Sequence, residues 1–213
     1  MHLIIRLITG VLAATAAALA MAVEEPAFRV ERGEESFQLR EYPGFVVAET
    51  FVQGDFDSAG RTGFRRIAGY IFGKNVSAGG DAAKIAMTAP VTMEPAGERI
   101  AMTAPVTTEA KGEGWRIHFV MPAAYRITDL PRPLDPEVRL REVPPHQVAA
   151  VTFSGWTTRA SIAENTARLQ AWMTRQGLKP SGKPQVARYN DPFTLPWNRR
   201  NEILIEVAPQ STR

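Results

Sequence analysis

Apolar and polar residues alternate with period two over several short stretches of this chain, and with a helical period over two longer ones. Phe37, Leu39 and Glu41 alternate with Gln38, Arg40 and Tyr42, then Pro43-Gly44 marks a turn and the β-rich run Phe45 to Val52 follows. These read as two strands. Phe64, Ile67, Ala68, Ile71 and Phe72 then recur at helical spacing, which predicts an amphipathic helix capped at Asp57 or Ser58 and ended by Gly73. Gly60, Gly63 and Gly69 interrupt it. Each costs about 1 kcal/mol against Ala, which implies close approach of another element to the helix surface.

Eight residues then occur twice. Ile85-Ala86-Met87-Thr88-Ala89-Pro90-Val91-Thr92 returns letter for letter at Ile100 to Thr107. Ile85, Met87, Ala89 and Val91 share one face, so the two copies read as an antiparallel hairpin turning through Met93 to Arg99. Pro90 and Pro105 cannot donate to a ladder and belong at strand ends, bulges or an edge. From Trp115 to Met121, Ile117, Phe119 and Met121 alternate with Arg116, His118 and Val120. A proline-rich stretch, Asp129 to Pro136, reads as an extended linker.

Beyond that linker the pattern of the first half begins again. At an offset of 101 residues, Leu39-Arg40-Glu41 falls on Leu140-Arg141-Glu142, Pro43 on Pro144, Val47-Ala48 on Val148-Ala149 and Gly54 on Gly155, seven identities in sixteen positions. A second capped helix runs from about Thr158 to Gln176, with Ile162, Leu169, Trp172 and Met173 inward and Gly177 as its stop. Strands at Gln185 to Tyr189 and Glu202 to Val207 complete the second half. The expected fold is α+β: a distorted β-barrel built from two pseudo-symmetric ββαββ halves, about 27–128 and 137–208, flanked by two α-helices. Neither half closes a core alone, so the two share one sheet and leave a cleft where they meet.

The first 22 residues stand apart. His2 and Arg6 precede an apolar run from Leu7 to Ala20 and small residues, with Ala20-Met21-Ala22 as an A-x-A cleavage site and Ala18-Leu19-Ala20 as its competitor. This describes a signal peptide, leaving residues 23–213 as a single exported domain, periplasmic or secreted, without stable membrane insertion. An uncleaved anchor is the alternative. Cleavage leaves 24 basic and 22 acidic residues, too balanced for a nucleic-acid groove. The absence of cysteine excludes disulfides, thiolate metal sites, cysteine nucleophiles and covalent haem attachment.

Two stretches carry a family resemblance. Lys84 to Val91, and Tyr189-Asn190-Asp191-Pro192-Phe193 with Arg199-Arg200-Asn201-Glu202-Ile203, are similar to signatures of the SOUL haem-binding protein family. The resemblance covers roughly Ala27 to Val207. It implies a distorted barrel flanked by two helices, and a monomer that binds haem non-covalently and reversibly as a carrier or buffer. The family's haem is proposed to lie against the first helix. By register Arg61 matches an arginine near a propionate and Phe64 an apolar position. Arg65 and Ala68 join them on the helix. Where some relatives carry a lysine, this chain has Gly69, with Arg65 as a substitute.

On the residues alone, Phe64 and Ile67 read more simply as core and the arginines as a solvated face. No nucleophile elbow, zincin or phosphate-loop motif is present, so no enzyme is expected. An iron ligand stays open between His118, His146, Met87, Met102 and none. The other ligand class for such a cleft is an amphipathic cation or lipid, as in bacterial effector-binding domains, with Glu202 as a candidate counter-charge.

Overall fold

The computed structural model describes residues 23–95, 114–191 and 193–209. Strands β1 (Arg29–Glu34), β2 (Phe37–Tyr42) and β3 (Phe45–Gln53) lead into helix α1 (Phe56–Ile71). Then come β4 (Asn75–Val76), β5 (Val91–Pro95), β6 (Gly114–Val120), β7 (Arg132–Pro133), β8 (Arg139–Val143) and β9 (His146–Phe153). Helix α2 (Arg159–Arg175), β10 (Gln185–Arg188) and β11 (Asn201–Glu206) complete the chain. Strands β4 and β7 pair with each other, and the other nine form one sheet in the order β1-β2-β9-β11-β10-β5-β6-β3-β8.

Leaving out β1, the 101-residue offset relates the two strands at one end of that order to the two at the other. Strand β2 corresponds to β8 and β3 to β9, and β10 and β5 meet at the centre. Each half gives its first strand to the other: β2 pairs with β9, and β8 with β3. Neither set of strands is complete without its counterpart.

The sheet is strongly curled. Four strands separate β9 from β3 in the order, which in a flat sheet is about 24 Å at the usual ~4.8 Å spacing. Yet the rings of His146 on β9 and Phe45 on β3 lie 5.6 Å apart. Their side of the sheet is therefore the concave inside of a distorted half-barrel. Both helices pack on the opposite, convex face, α1 on β3 and β6, α2 on β9 and β11. The main core lies between helices and sheet and includes Ile67, Tyr70 and Ile71 from α1, Leu169, Trp172 and Met173 from α2, and Leu39, Ile117, Phe119, Val151, Ile203 and Ile205 from the strands.

Helix α1 begins at Phe56, capped by Asp55 rather than by Asp57 or Ser58. The Asp55 carboxylate accepts the backbone N–H of Asp57 and of Ser58, each at 3.0 Å. Its glycines do mark close approach: a Cβ on Gly63 would lie 2.8 Å from Ile117, and one on Gly60 3.0 Å from the Met93 sulfur. That contact turns Ala59, Gly63, Ile67 and Ile71 inward. Phe64 and Phe72, expected in the apolar stripe, are 40% and 58% exposed instead.

The twin segment also departs from its pattern. Ile85 is buried and Met87 partly so, as the alternation predicts. No strand forms before Val91, however, and β5 then pairs with β6. Pro90 cannot donate to a ladder, and the Thr88 hydroxyl donates to the Val120 carbonyl instead. The second copy, Ile100 to Thr107 with Met102 and Pro105, lies outside the described residues. Among the described residues no helix is long and apolar enough to cross a membrane; residues 1–22 are not among them.

Candidate functional site

The outward face of α1 gathers four of the groups singled out by sequence. Arg61, Phe64 and Arg65 are exposed along it, with Ala68 a turn further on and nearly covered. Phe64 leans on the core, its ring 5.5 Å from that of Phe119. Among the described residues Arg61 and Arg65 make neither a hydrogen bond nor an ion pair. Arg66 differs: it donates to Thr50 Oγ1 at 3.3 Å and to the Phe51 carbonyl at 3.2 Å, and pairs with Glu137 at 3.7 Å.

Two further groups belong to this face and were missed. Phe72, which the helical spacing puts in the apolar stripe, is exposed. Lys74 crosses Gly69, where an added Cβ would lie 3.1 Å from Lys74 Cδ, so a lysine stem already fills the space beside that glycine. Nothing in the sequence signals this, because it depends on how the chain turns back after Gly73. Positions 61, 64, 65, 68 and 72 fall on one stripe of a 3.6-residue helix, about 16 Å long at 1.5 Å per residue. Half-exposed rings alternate there with unpaired cations, a surface suited to a flat apolar body that carries acids.

The concave face is built differently. The Arg40 guanidinium grips the Glu202 carboxylate at 2.7 and 2.9 Å. Tyr189 donates to the same carboxylate at 2.6 Å, Thr152 at 3.2 Å and Arg200 at 3.1 Å. Burial alone would raise the Glu202 pKa, but the hydrogen bonds and charge of Arg40 override it and hold it low. With two guanidiniums already on it, Glu202 has no charge left for a cationic ligand. Towards the other end Glu49 meets Arg141 at 2.9 Å, and Glu94 meets Arg116 at 2.9 Å.

Residues Glu24 to Phe28 strap this side. Ala123 N–H donates to Glu24 Oε1 at 2.8 Å, Glu25 pairs with Arg200 at 3.0 Å, and Phe28 lies 4.3 Å from the Arg40 guanidinium. These two acids hold the strap in place. Between the strap and the turns at Pro43-Gly44 and Pro144-Pro145 is an apolar cavity of about 640 Å³.

His118 and His146 both face this concave side and line one small cavity of about 40 Å³. His118 is buried, and among the described residues its Nδ1 has no hydrogen-bond partner. Burial, then the charges of Arg141 and Arg116, push its pKa down to about 3. His146 places Nδ1 2.8 Å from the Pro144 carbonyl and stacks on Tyr42. Neither histidine lies on the side of the sheet that carries α1. Met87 packs against the core.

The expectation that Arg61, Phe64, Arg65 and Ala68 edge a cleft between the halves is thus corrected. They line none of these cavities. The helices sit on the convex face, whereas the halves meet over the concave one.

Comparison with known proteins adds the lineage. The SOUL heme-binding protein profile matches residues 23–206. The chain belongs to the SOUL haem-binding protein family. Heme-binding protein 2 of Homo sapiens is 31% identical over 204 residues, covering 92% of each chain. Heme-binding protein 1 of Xenopus laevis is 25% identical over 178 residues, covering 82% of this chain and 86% of its own. In fold, the SOUL domain is similar to the EcmrR C-terminal domain, with a TM-score of 0.56 at 13% identity over 81% of this chain and 96% of that one. An uncharacterized conserved protein from Listeria innocua gives 0.58 at 12% identity, over 83% and 94%.

Proposed function

We propose that this protein binds haem or a related tetrapyrrole reversibly on the outward face of α1, as a carrier or buffer and without catalysis. The observation that carries this reading is the pairing of exposed Phe64 and Phe72 with the unpaired guanidiniums of Arg61 and Arg65. The rings would take the apolar macrocycle, and Arg61, Arg65 and Lys74 its propionates. Bound haem would supply the iron chemistry; the chain's own part is to hold the ring and its acids. The site is an open face, which suits weak and reversible binding. Family membership supports the ligand class. The leader-like pattern of residues 1–22 supports an exported protein, periplasmic or secreted.

Titration of the protein with haemin, followed by absorbance, tests this. A saturable shift of the Soret band is expected, and an unchanged spectrum at micromolar protein overturns it. The second reading is an amphipathic small molecule or lipid in the apolar cavity of about 640 Å³ under the strap. It predicts that such compounds bind without displacing haemin.

A further inference from the structure

The apolar cavity under the strap has a distinct charge pattern. Its walls include Phe45, Val46, Val120, Met121 and Val143, and the strap adds Pro26. At about 640 Å³ it falls among small-molecule sites, which run from roughly 300 to 1,000 Å³. Four charged residues line it: Glu24, Glu25, Arg126 and Glu142.

Two of these charges are already answered. The Arg126 guanidinium is closed by Asp129, its Nε donating to one carboxylate oxygen at 2.8 Å and its Nη2 to the other at 3.0 Å. Arg200 Nη1 donates to both Glu25 oxygens at 3.0 Å. The remaining two are acids without a cation. Glu24 Oε1 accepts from a neutral group, the Ala123 N–H at 2.8 Å. Among the described residues neither Glu24 nor Glu142 forms an ion pair.

Both are exposed, so their charges stand at the solvent edge of an apolar space. Glu24 is not a loose end. Its carbonyl accepts the Ala89 N–H at 2.9 Å, and it is bridged to Thr88, which fixes its place on the strap. An amphiphile that ends in a carboxylate or phosphate would bring a like charge to these acids, and the one cation lining the cavity is already bound. One that ends in an ammonium group would meet two opposite charges and the rings of Phe45 and Tyr125, which also line the cavity.

We infer that the cavity under the strap takes an amphiphilic organic cation, an alkylammonium whose chain lies against Val120, Met121 and Val143 and whose head is met by Glu24 and Glu142. This rests on the second reading above and narrows it from amphipathic molecules in general to one charge class. It also replaces Glu202 as the counter-charge, since that carboxylate is taken by Arg40 and Arg200.

The test is calorimetric titration with three amphiphiles of one chain length, each below its micelle point: dodecyltrimethylammonium, a neutral dodecyl polyethylene glycol ether and dodecanoate. The cation is expected to bind about three- to tenfold more tightly than the neutral compound, as two exposed carboxylates allow, and dodecanoate most weakly. Glu24→Gln keeps an acceptor for Ala123, and Glu142→Gln keeps the side chain's shape. The double variant should bring the cation down to the affinity of the neutral compound and leave the neutral compound unchanged. Glu142→Gln alone lies at an exposed position, where substitution disturbs folding little. It should weaken the cation about threefold, and it decides the matter if the double variant does not fold. Saturable binding of the neutral compound with no preference for the cation overturns the charge class and leaves the second reading standing. A preference that survives in both variants overturns the roles of Glu24 and Glu142. No saturable binding of any of the three overturns both the inference and the second reading.

Discussion

Phe45 and His146 are equivalents under the 101-residue offset, and their rings touch, 5.6 Å apart. Corresponding residues of two halves can meet only near the axis that relates the halves, so this contact marks where the sheet closes on itself. His146 also stacks on Tyr42 at 5.7 Å, which joins β2 to the same knot. A double-mutant cycle of Phe45→Ala and His146→Ala should give a coupling of about 1 kcal/mol by urea unfolding. Additive effects would mean that the contact does not hold the halves together.

Arg40 and Glu202 form a second tie, with side chains 3% and 0% exposed. Breaking a buried pair leaves one charge uncompensated, so Glu202→Gln or Arg40→Met should each cost about 3–5 kcal/mol. The double replacement Arg40→Met with Glu202→Leu should cost less than either single one. Because the Glu202 carboxyl titrates lower in the folded protein than when unfolded, its contribution is complete above the unfolded pKa of about 4.3 and is lost as pH falls through the folded value. Urea midpoints of the wild type below about pH 4.3 should fall more steeply than those of Glu202→Gln.

His118 acts in a higher window. Its folded pKa of about 3 lies below the unfolded ~6.5. The unfolded chain therefore binds the extra proton between those values, and folding stability drops as pH falls from about 6.5, by up to about 1.4 kcal/mol per unit. The groups around it are Arg116, Arg141 and His146, with Glu49 and Glu94 behind the arginines. His118→Leu should flatten the stability profile between pH 6.5 and 4.5, above the range where Glu202 titrates. An unchanged slope would show that His118 titrates normally.

The glycines of α1 separate two kinds of contact. A Cβ at Gly63 meets the Ile117 side chain from its Cβ outward, at 2.8–2.9 Å, inside a strand that cannot yield. Gly63→Ala should therefore destabilise by about 1–3 kcal/mol despite its better helix propensity. At Gly69 the neighbour is the flexible stem of Lys74 at 3.1 Å, so Gly69→Ala should stabilise by up to about 1 kcal/mol. Thermal melts of the two variants should move in opposite directions.

These contrasts show what the chain discloses before it folds. Alternation at Phe37 to Tyr42 and at Trp115 to Met121 placed the strands and the side chains that face the helices, Phe37, Leu39, Ile117 and Phe119. It did not place the burial of Arg40, Tyr42, His118 and Val120 on the other face, which only the curl of the sheet encloses. The strand β1 went unseen because Arg29 to Glu34 are all exposed and carry no alternation; the ladder to β2 defines it. The outer edge of the α1 stripe was misassigned because glycine is itself the contact there, and a residue without a side chain leaves no apolar signal. The offset of 101 residues foretold equivalent strands, but not the curl that sets Phe45 on His146. Without the curl, the cleft and the α1 face looked like one place.

That separation gives the haem reading its sharpest test. If haem rests on the outward face of α1, Arg61→Ala and Arg65→Ala should each weaken haemin binding by roughly three- to tenfold, since an exposed charge-assisted contact is worth little more. Phe64→Ala should weaken it at least as much, through lost apolar contact. Raising ionic strength from about 0.05 to 0.5 M should reduce the affinity of the wild type more than that of the double arginine variant, because salt screens exposed charges. His118→Leu and His146→Ala should leave the titration unchanged, for both face the concave side. A Soret shift lost with either histidine and kept without Arg61 and Arg65 would move the ligand into the half-barrel and end the case for the helix.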